Sequence, residues 1–222
     1  MQDKEWLEEL LEMGSRDEKL SPKQKKILEA AVEIFSEKGF AASSTSEIAK
    51  RAGVAEGTIF RHYKTKHDLL ISIVVPTWTK IITPLLAKSF VKEVFNKNQY
   101  KQAEDFLRAL LTNRLEFAKK HLPMLKILLQ EIPFQEELKE QFTSIFTEHI
   151  YVQLQKIIEQ FQKQGDIIDL PSKTVIRMIL TTGIGFILTR LLILPEAEWD
   201  DEQEIEHTIQ FMLYGLSGKE DN

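Results

Sequence analysis

Gly57, Thr58, Arg61, His62, Lys64 and Lys66 fall within one stretch of ten residues, and their types suit contact with a polyanion. Thr58 can bond a phosphate or touch a thymine methyl, and Arg61 can fork onto guanine or pair with phosphate. His62 and Tyr63 can donate to phosphate oxygens, Gly57 lets a backbone approach closely, and the two lysines can neutralise phosphates. The chemistry is recognition of DNA, not bond making. Elsewhere the chain has no cysteine, and its five histidines (62, 67, 121, 149 and 207) are scattered without a recognised zinc spacing. It shows no Ser/His/Asp layout, no phosphate loop and no carboxylate pair in a defined cleft, so neither an enzyme, a metal nor a cofactor is expected.

These side chains need a rigid carrier, and the flanking residues describe one. Ser44 and Glu47 fit a capping box for a helix from about Ser44 to Ala52, with Thr45 as an alternative cap. Ile48, Ala49 and Ala52 give that helix a small apolar face, and Gly53 suits the left-handed conformation that ends it. Val54 can plug the gap before a second short helix, about Glu56 to Tyr63, in which Ile59 and Tyr63 sit four apart and face the core. The layout is a helix-turn-helix, which seats its second helix in the major groove of DNA. The bland alternative is a helical hairpin with a solvated polar face. Charge favours DNA: the net charge is −5, yet residues 22–70 carry nine Lys/Arg against six Asp/Glu, so the basicity is local. A preceding helix, capped by Ser21 with Pro22 in its first turn, carries Ile27, Leu28, Ala31, Ile34 and Phe35 as a core stripe. It ends at Lys38-Gly39 and should brace the hairpin.

The segment resembles the DNA-binding domain of TetR/AcrR-type transcriptional regulators. The resemblance rests on Thr45, Ile48-Ala49, Ala52-Gly53-Val54, Gly57-Thr58, His62, Lys66 and Leu69 or Leu70, with Ala30-Ala31, Phe35 and Gly39-Phe40 before them. It covers about Gln24 to Leu70. Ala55 replaces the usual Ser and removes a cap for the second helix. Phe60 stands where Tyr is usual, Tyr63 where Phe is usual, and His67 where Glu is common. The resemblance implies an all-α fold, with an N-terminal three-helix DNA-binding domain and a C-terminal helical bundle for dimerisation and effector binding. The DNA-contacting set expected here is Thr45, Ser46, Gly57, Thr58, Phe60, Arg61, His62, Tyr63 and Lys66.

Three segments are expected: an acidic extension at 1–20, the helix-turn-helix domain at 21–66, and an effector-binding and dimerisation domain at 67–222. In the extension Trp6, Leu7, Leu10 and Leu11 share one face of a short helix. A linking helix from near His67 towards Lys92 is kinked by Pro76 and Pro84. Helices follow over about 100–120, 122–129, 136–164, 171–194 and 201–216, with no stretch of strand period. On the first of these Phe106, Leu110, Arg114 and Phe117 share a face, and Phe146 and Tyr151 add aromatic surface. An apolar pocket with few polar groups suits a small hydrophobic ligand, although aromatic stripes at helical spacing also serve as plain core. Arg114 could pair with a carboxylate ligand, or with Glu104, Glu116 or a surface acid. The helix at 171–194 is nearly apolar all round, as when both faces are covered, and its Thr181-Thr182-Gly183-Ile184-Gly185 run permits close helix approach. Arg177 and Arg190 interrupt it, which favours a buried helix over a membrane span. The resemblance implies a homodimer through helices 171–194 and 201–216.

The expected function is a cytoplasmic, DNA-binding transcriptional regulator: a homodimeric repressor released from a double-stranded operator by a small hydrophobic effector, with no membrane partner. The alternative is a structural DNA-binding protein, of the nucleoid or of division, on the same fold without an effector.

Overall fold

In the computed structural model the described residues are 21–77, 94–95, 100–131, 133–134 and 136–216. The expected extension at 1–20 and the linking helix beyond residue 77, with Pro84, lie outside them. The described residues form helices and connecting turns only, in two compact units. One holds the described residues of 1–85 and 120–145, the other those of 86–119 and 146–222. These are units of packing, whereas the boundary expected at 66/67 is one of function.

The first unit is built around α1 (Pro22–Ala42). Ser21 caps it with a full capping box: its hydroxyl accepts from the Gln24 amide at 3.3 Å, and the Gln24 side chain accepts from the Ser21 amide at 2.9 Å. Gly39 breaks the helix with φ 79° and ψ 163°, and one further turn follows. The expected stripe is the core, with Ile27, Ala31 and Phe35 fully buried. α2 (Thr45–Ala52) and α4 (Lys66–Thr77), which contains Pro76, pack on α1, and α3 (Glu56–His62) packs on α2. Ile48, Ile59, Leu69, Leu70 and Ile73 close this core without solvent exposure. After α5 (Ala103–Lys120), α6 (Leu122–Glu131) packs on α1 as well, burying Met124, Ile127 and Leu128. A Cβ on Gly39 would lie 2.7 Å from the Gln130 side-chain oxygen, so glycine serves both backbone and packing there. α7 (Glu136–Ile145) completes the unit.

The second unit begins with most of α5. Its Phe106 lies at the centre of an aromatic cluster, with ring centroids 5.8 Å from Phe95, 5.7 Å from Tyr100 and 6.0 Å from Phe161. The helix expected over 136–164 divides into α7, a π-helical segment at Phe146–Tyr151 and α8 (Val152–Gln164). α8 ends on Gly165 at φ 84°, where the Asp166 amide reaches back to the Phe161 carbonyl. α9 (Ser172–Leu188) also runs into a π-helical segment, Thr189–Ile193, and α10 spans Asp201–Tyr214. Gly183 provides the expected close approach: a Cβ there would stand 3.1 Å from the Leu111 side chain. Gly185 faces open space.

α9 departs from one expectation. Among the described residues one face is covered, by α8, α10 and, at Gly183, by Leu111 of α5. By length and composition Ser172–Ile193 is apolar enough to cross a bilayer, with 22% of it buried. Arg190 of this span donates to Asp201 at 2.8 Å and lies over the Trp199 ring, and Lys119 of α5 reaches the same carboxylate at 2.6 Å. Arg108 similarly joins Glu206 on α10 to Glu104 on α5.

Candidate nucleic-acid interface

The hairpin folds as its local signals require. The Ser44 hydroxyl accepts from the Glu47 amide at 3.2 Å and starts α2. The reciprocal half of the expected box is replaced: the Glu47 carboxylate accepts from Lys38 at 2.6 Å and from the Ser44 hydroxyl at 3.3 Å. That lysine holds the Glu47 carboxyl below its ordinary value. Gly53 takes the left-handed conformation at φ 66°, and the Val54 amide reaches the Ala49 carbonyl at 3.0 Å. This arrangement satisfies the last carbonyls of α2 while turning the chain sharply. As Ala55 implies, α3 has no side-chain cap.

Ile59 and Tyr63 point into the core as their spacing requires. The opposite side of α3 presents Gly57, Phe60, Arg61 and His62 to solvent, with Phe60 48% exposed and Thr58 half-buried. Of the two hydroxyls at the start of α2, Ser46 is exposed, and Thr45 donates to the Glu56 carboxylate at 2.6 Å. That bond joins the starts of α2 and α3. Tyr63 is 8% exposed; burial raises its phenol, offset in part by a hydrogen bond with Ser72. Its hydroxyl finds its partner inside the unit.

The cations divide into two groups. Lys38 is paired with Glu47, and Arg51 forks onto Glu37 at 3.0 and 3.3 Å while touching Glu33. Lys66 donates to the carbonyls of Phe40 at 2.7 Å and Ser43 at 2.9 Å, with its ammonium 4.3 Å from the Phe40 ring centroid. Lys50, Arg61 and Lys64 are exposed, and among the described residues none of the three has a side-chain hydrogen bond or ion pair. Lys50 was not among the expected contacts. Its signal was present in the sequence, a lysine one turn before Gly53, but without the turn geometry nothing set it apart from a solvated surface lysine.

The expected effector residues lie in the second unit. Phe106 and Leu110 are buried in its core. The Arg114 guanidinium lies 5.0 Å from the Phe117 ring centroid and bonds the Asn113 side chain. Phe146 and Tyr151, at the two ends of a π-helical segment, bring their rings to 6.3 Å. Glu104 pairs with Arg108 and Glu116 with Lys119. Among the described residues no cluster of His, Cys, Asp and Glu could hold a metal ion.

Residues 27–73 match the sequence model of a family described as bacterial regulatory proteins, tetR family. The fatty acid metabolism regulator protein of Bacillus subtilis is 52% identical over 52 residues, 23% of this chain and 27% of that protein. The chain spans less than half the length of the curated relatives it matches. Solved structures extend the likeness in fold. The B. subtilis regulator FadR in complex with stearoyl-CoA aligns over 86% of this chain and 98% of its own, at 23% identity and a TM-score of 0.58. AibR in complex with isovaleryl coenzyme A and operator DNA aligns over 87% and 98%, at 18% identity and a TM-score of 0.63.

Proposed function

Because the chain belongs to the TetR/AcrR family of transcriptional regulators, we propose that it works in the cytoplasm as a homodimeric repressor released from its operator by a small hydrophobic effector. Residues 21–66 act as the DNA-binding domain and 67–222 as the effector and dimer domain. The observation that carries the proposal is an uncovered apolar face in the second unit, together with uncovered cations on the hairpin of the first. On α9 and α10 Met178, Ile184, Phe211 and Tyr214 are exposed by 45%, 52%, 42% and 68%. Apolar side chains so grouped mark an association surface, and a second copy with the same face is the simplest cover. Two copies place two α3 helices on successive major-groove faces, which supplies the specificity a single hairpin lacks. In each, Gly57, Thr58, Phe60, Arg61 and His62 meet base edges and phosphates, Thr45 and Ser46 approach from the start of α2, and Lys50 and Lys64 neutralise phosphate.

The effector is assigned to the second unit, where Phe106, Leu110, Arg114, Phe117, Phe146 and Tyr151 supply apolar surface with one cation. Acyl-CoA thioesters are the first class to test, because they occupy two regulators of similar fold. The ligand acts only through different affinity for the DNA-bound and free arrangements.

Sedimentation and DNA titration test the proposal together. The expected species is a dimer at micromolar concentration that selects a duplex from a random library and leaves it on addition of an acyl-CoA but not of free CoA. Ile184→Glu should yield monomers that no longer discriminate the duplex. A wild-type monomer that discriminates equally well refutes the dimer. A selected duplex retained against a full range of acyl chain lengths refutes this effector class. Many dispersed genomic sites with no response to any hydrophobic ligand would instead support the structural DNA-binding alternative.

A further inference from the structure

We infer that Lys66 is a positioning residue: its ammonium clasps the two ends of the DNA-reading segment together and thereby sets the orientation of α3. Lys66 opens α4, immediately after the hairpin, and Phe40 and Ser43 immediately precede it. Its two hydrogen bonds, 2.7 Å to the Phe40 carbonyl and 2.9 Å to the Ser43 carbonyl, join residues 26 and 23 positions apart. Everything that reads DNA in the hairpin lies between these ends.

Both acceptors lie in the corner that follows the backbone break at Gly39, where the hydrogen-bond ladder of α1 stops. The Phe40 carbonyl already accepts from the Ser43 hydroxyl at 2.7 Å and its amide at 3.3 Å, so lysine completes a cluster that fixes the α1–α2 corner. The Phe40 ring, 4.3 Å from the ammonium, provides a negative face for the same charge. On the other side of the clasp Leu69, Leu70 and Ile73 are fully buried against α1. The ammonium therefore links the corner that aims α2 to a helix that cannot move without opening the core. Two of its three N–H groups and its aromatic neighbour are engaged within the protein. Lys50, Arg61 and Lys64, by contrast, have no partners among the described residues.

A phosphate contact and a clasp differ in salt dependence. A cation that neutralises one phosphate adds about 0.9 to the slope of log K against log salt, whereas a clasp adds nothing. The experiment compares wild type, Lys66→Met, Lys66→Arg and, as a reference, Lys64→Ala. The probes are a duplex selected by the wild-type protein from a random library and a scrambled duplex of equal length. Stoichiometric titration gives the active fraction of each protein, so that lost folding is separated from lost affinity.

Lys64→Ala should lower the slope by about one. Lys66→Met should weaken binding to the selected duplex about tenfold or more, since two hydrogen bonds to a charged group are removed. Its slope, active fraction and affinity for the scrambled duplex should remain those of wild type. Lys66→Arg should also lose affinity with its slope unchanged, because a planar fork does not converge on two carbonyls as an ammonium does. The inference is overturned if Lys66→Met lowers the slope by about one and Lys66→Arg restores both slope and affinity. It is equally overturned if Lys66→Met reduces only the active fraction, or if neither variant changes discrimination. The inference rests on the DNA-binding reading; a wild-type protein that selects no duplex refutes that reading before any variant is made.

Discussion

Gly57→Ala is expected to move stability and DNA affinity in opposite directions. Gly57 is the second residue of α3, and its φ lies outside the left-handed region reserved for glycine. A Cβ built there meets no heavy atom within 4 Å. Alanine therefore fits without strain, and it removes backbone freedom that the unfolded chain enjoys. The gain for a helical Gly→Ala is about 0.5–1 kcal/mol. For a chain of this size the melting temperature should rise by roughly 1–4 °C. Bound DNA changes the sign for function. The open space beside Gly57 is on the face shared with Phe60, Arg61 and His62, where a duplex would lie. A methyl group between backbone and duplex displaces about one hydrogen bond, so affinity for a selected duplex should fall about tenfold. Thermal melting of the free protein and fluorescence anisotropy with the labelled duplex read the two effects separately. A variant that is more stable and binds as tightly as wild type refutes the close approach. A variant that melts earlier refutes the reading of α3 itself.

Gly39→Ala should destabilise by about 1–3 kcal/mol, because φ 79° with ψ 163° is essentially a glycine-only conformation. The 2.7 Å contact with the end of the flexible Gln130 side chain is relieved by a rotation; if the double variant Gly39→Ala/Gln130→Ala melts like wild type, the clash and not the backbone was limiting. Asp201→Asn removes the charge shared by Lys119 and Arg190 and replaces one of the two accepting oxygens with an N–H donor, and should cost about 1–2 kcal/mol at pH 7, roughly 2–8 °C in melting temperature. Burial pushes the Asp201 carboxyl up, but the two cations outweigh it and hold it below its ordinary value. Arg108 likewise holds Glu206 down, against a smaller opposing effect of burial. With folded values below unfolded ones, both contributions are complete above the unfolded values near 4 and are lost as pH falls through the folded values. The difference in melting temperature between wild type and Asp201→Asn should therefore shrink as pH drops below about 4, and a difference independent of pH contradicts the ion-pair origin.

Features set by neighbours along the chain are legible from the sequence alone. The Ser21 box, the Ser44 cap, the Gly53 turn and the outward face of α3 depend on residues no more than five apart, so types and spacing suffice. Tertiary partners decide the rest. Glu47 has the spacing of a capping box, but Lys38 outcompetes the Ser44 amide for its carboxylate. The docking of α6 on α1 depends on packing between segments about ninety positions apart, which periodicity within one helix does not reveal. The π-helical segments are similar: nothing in Phe146–Tyr151 or Thr189–Ile193 breaks a helical pattern. For α9 an all-round apolar composition implies that both faces are covered, and among the described residues a single face is. Composition reports that a face needs cover, without reporting whether the cover comes from the same chain.

The same distinction sharpens the charge argument. Residues 22–70 carry nine cations and six anions, and counting them locates the basic region but not the usable charge. Lys38, Arg51 and Lys66 are tied within the unit, as are Glu33, Glu37 and Glu47. Asp68 accepts from the Thr65 amide at the start of α4, and Glu56 accepts from Thr45. The remaining cations are Lys23, Lys25 and Lys26 at the start of α1, and Lys50, Arg61 and Lys64 around the hairpin. The internal pairs brace the hairpin, and the uncommitted cations fall in two groups along the chain, one at the start of α1 and one within and just after the hairpin. On the proposed reading, a phosphate backbone that meets both groups would fix the register of α3 in the groove, and that register, not total charge, would decide which bases the helix meets.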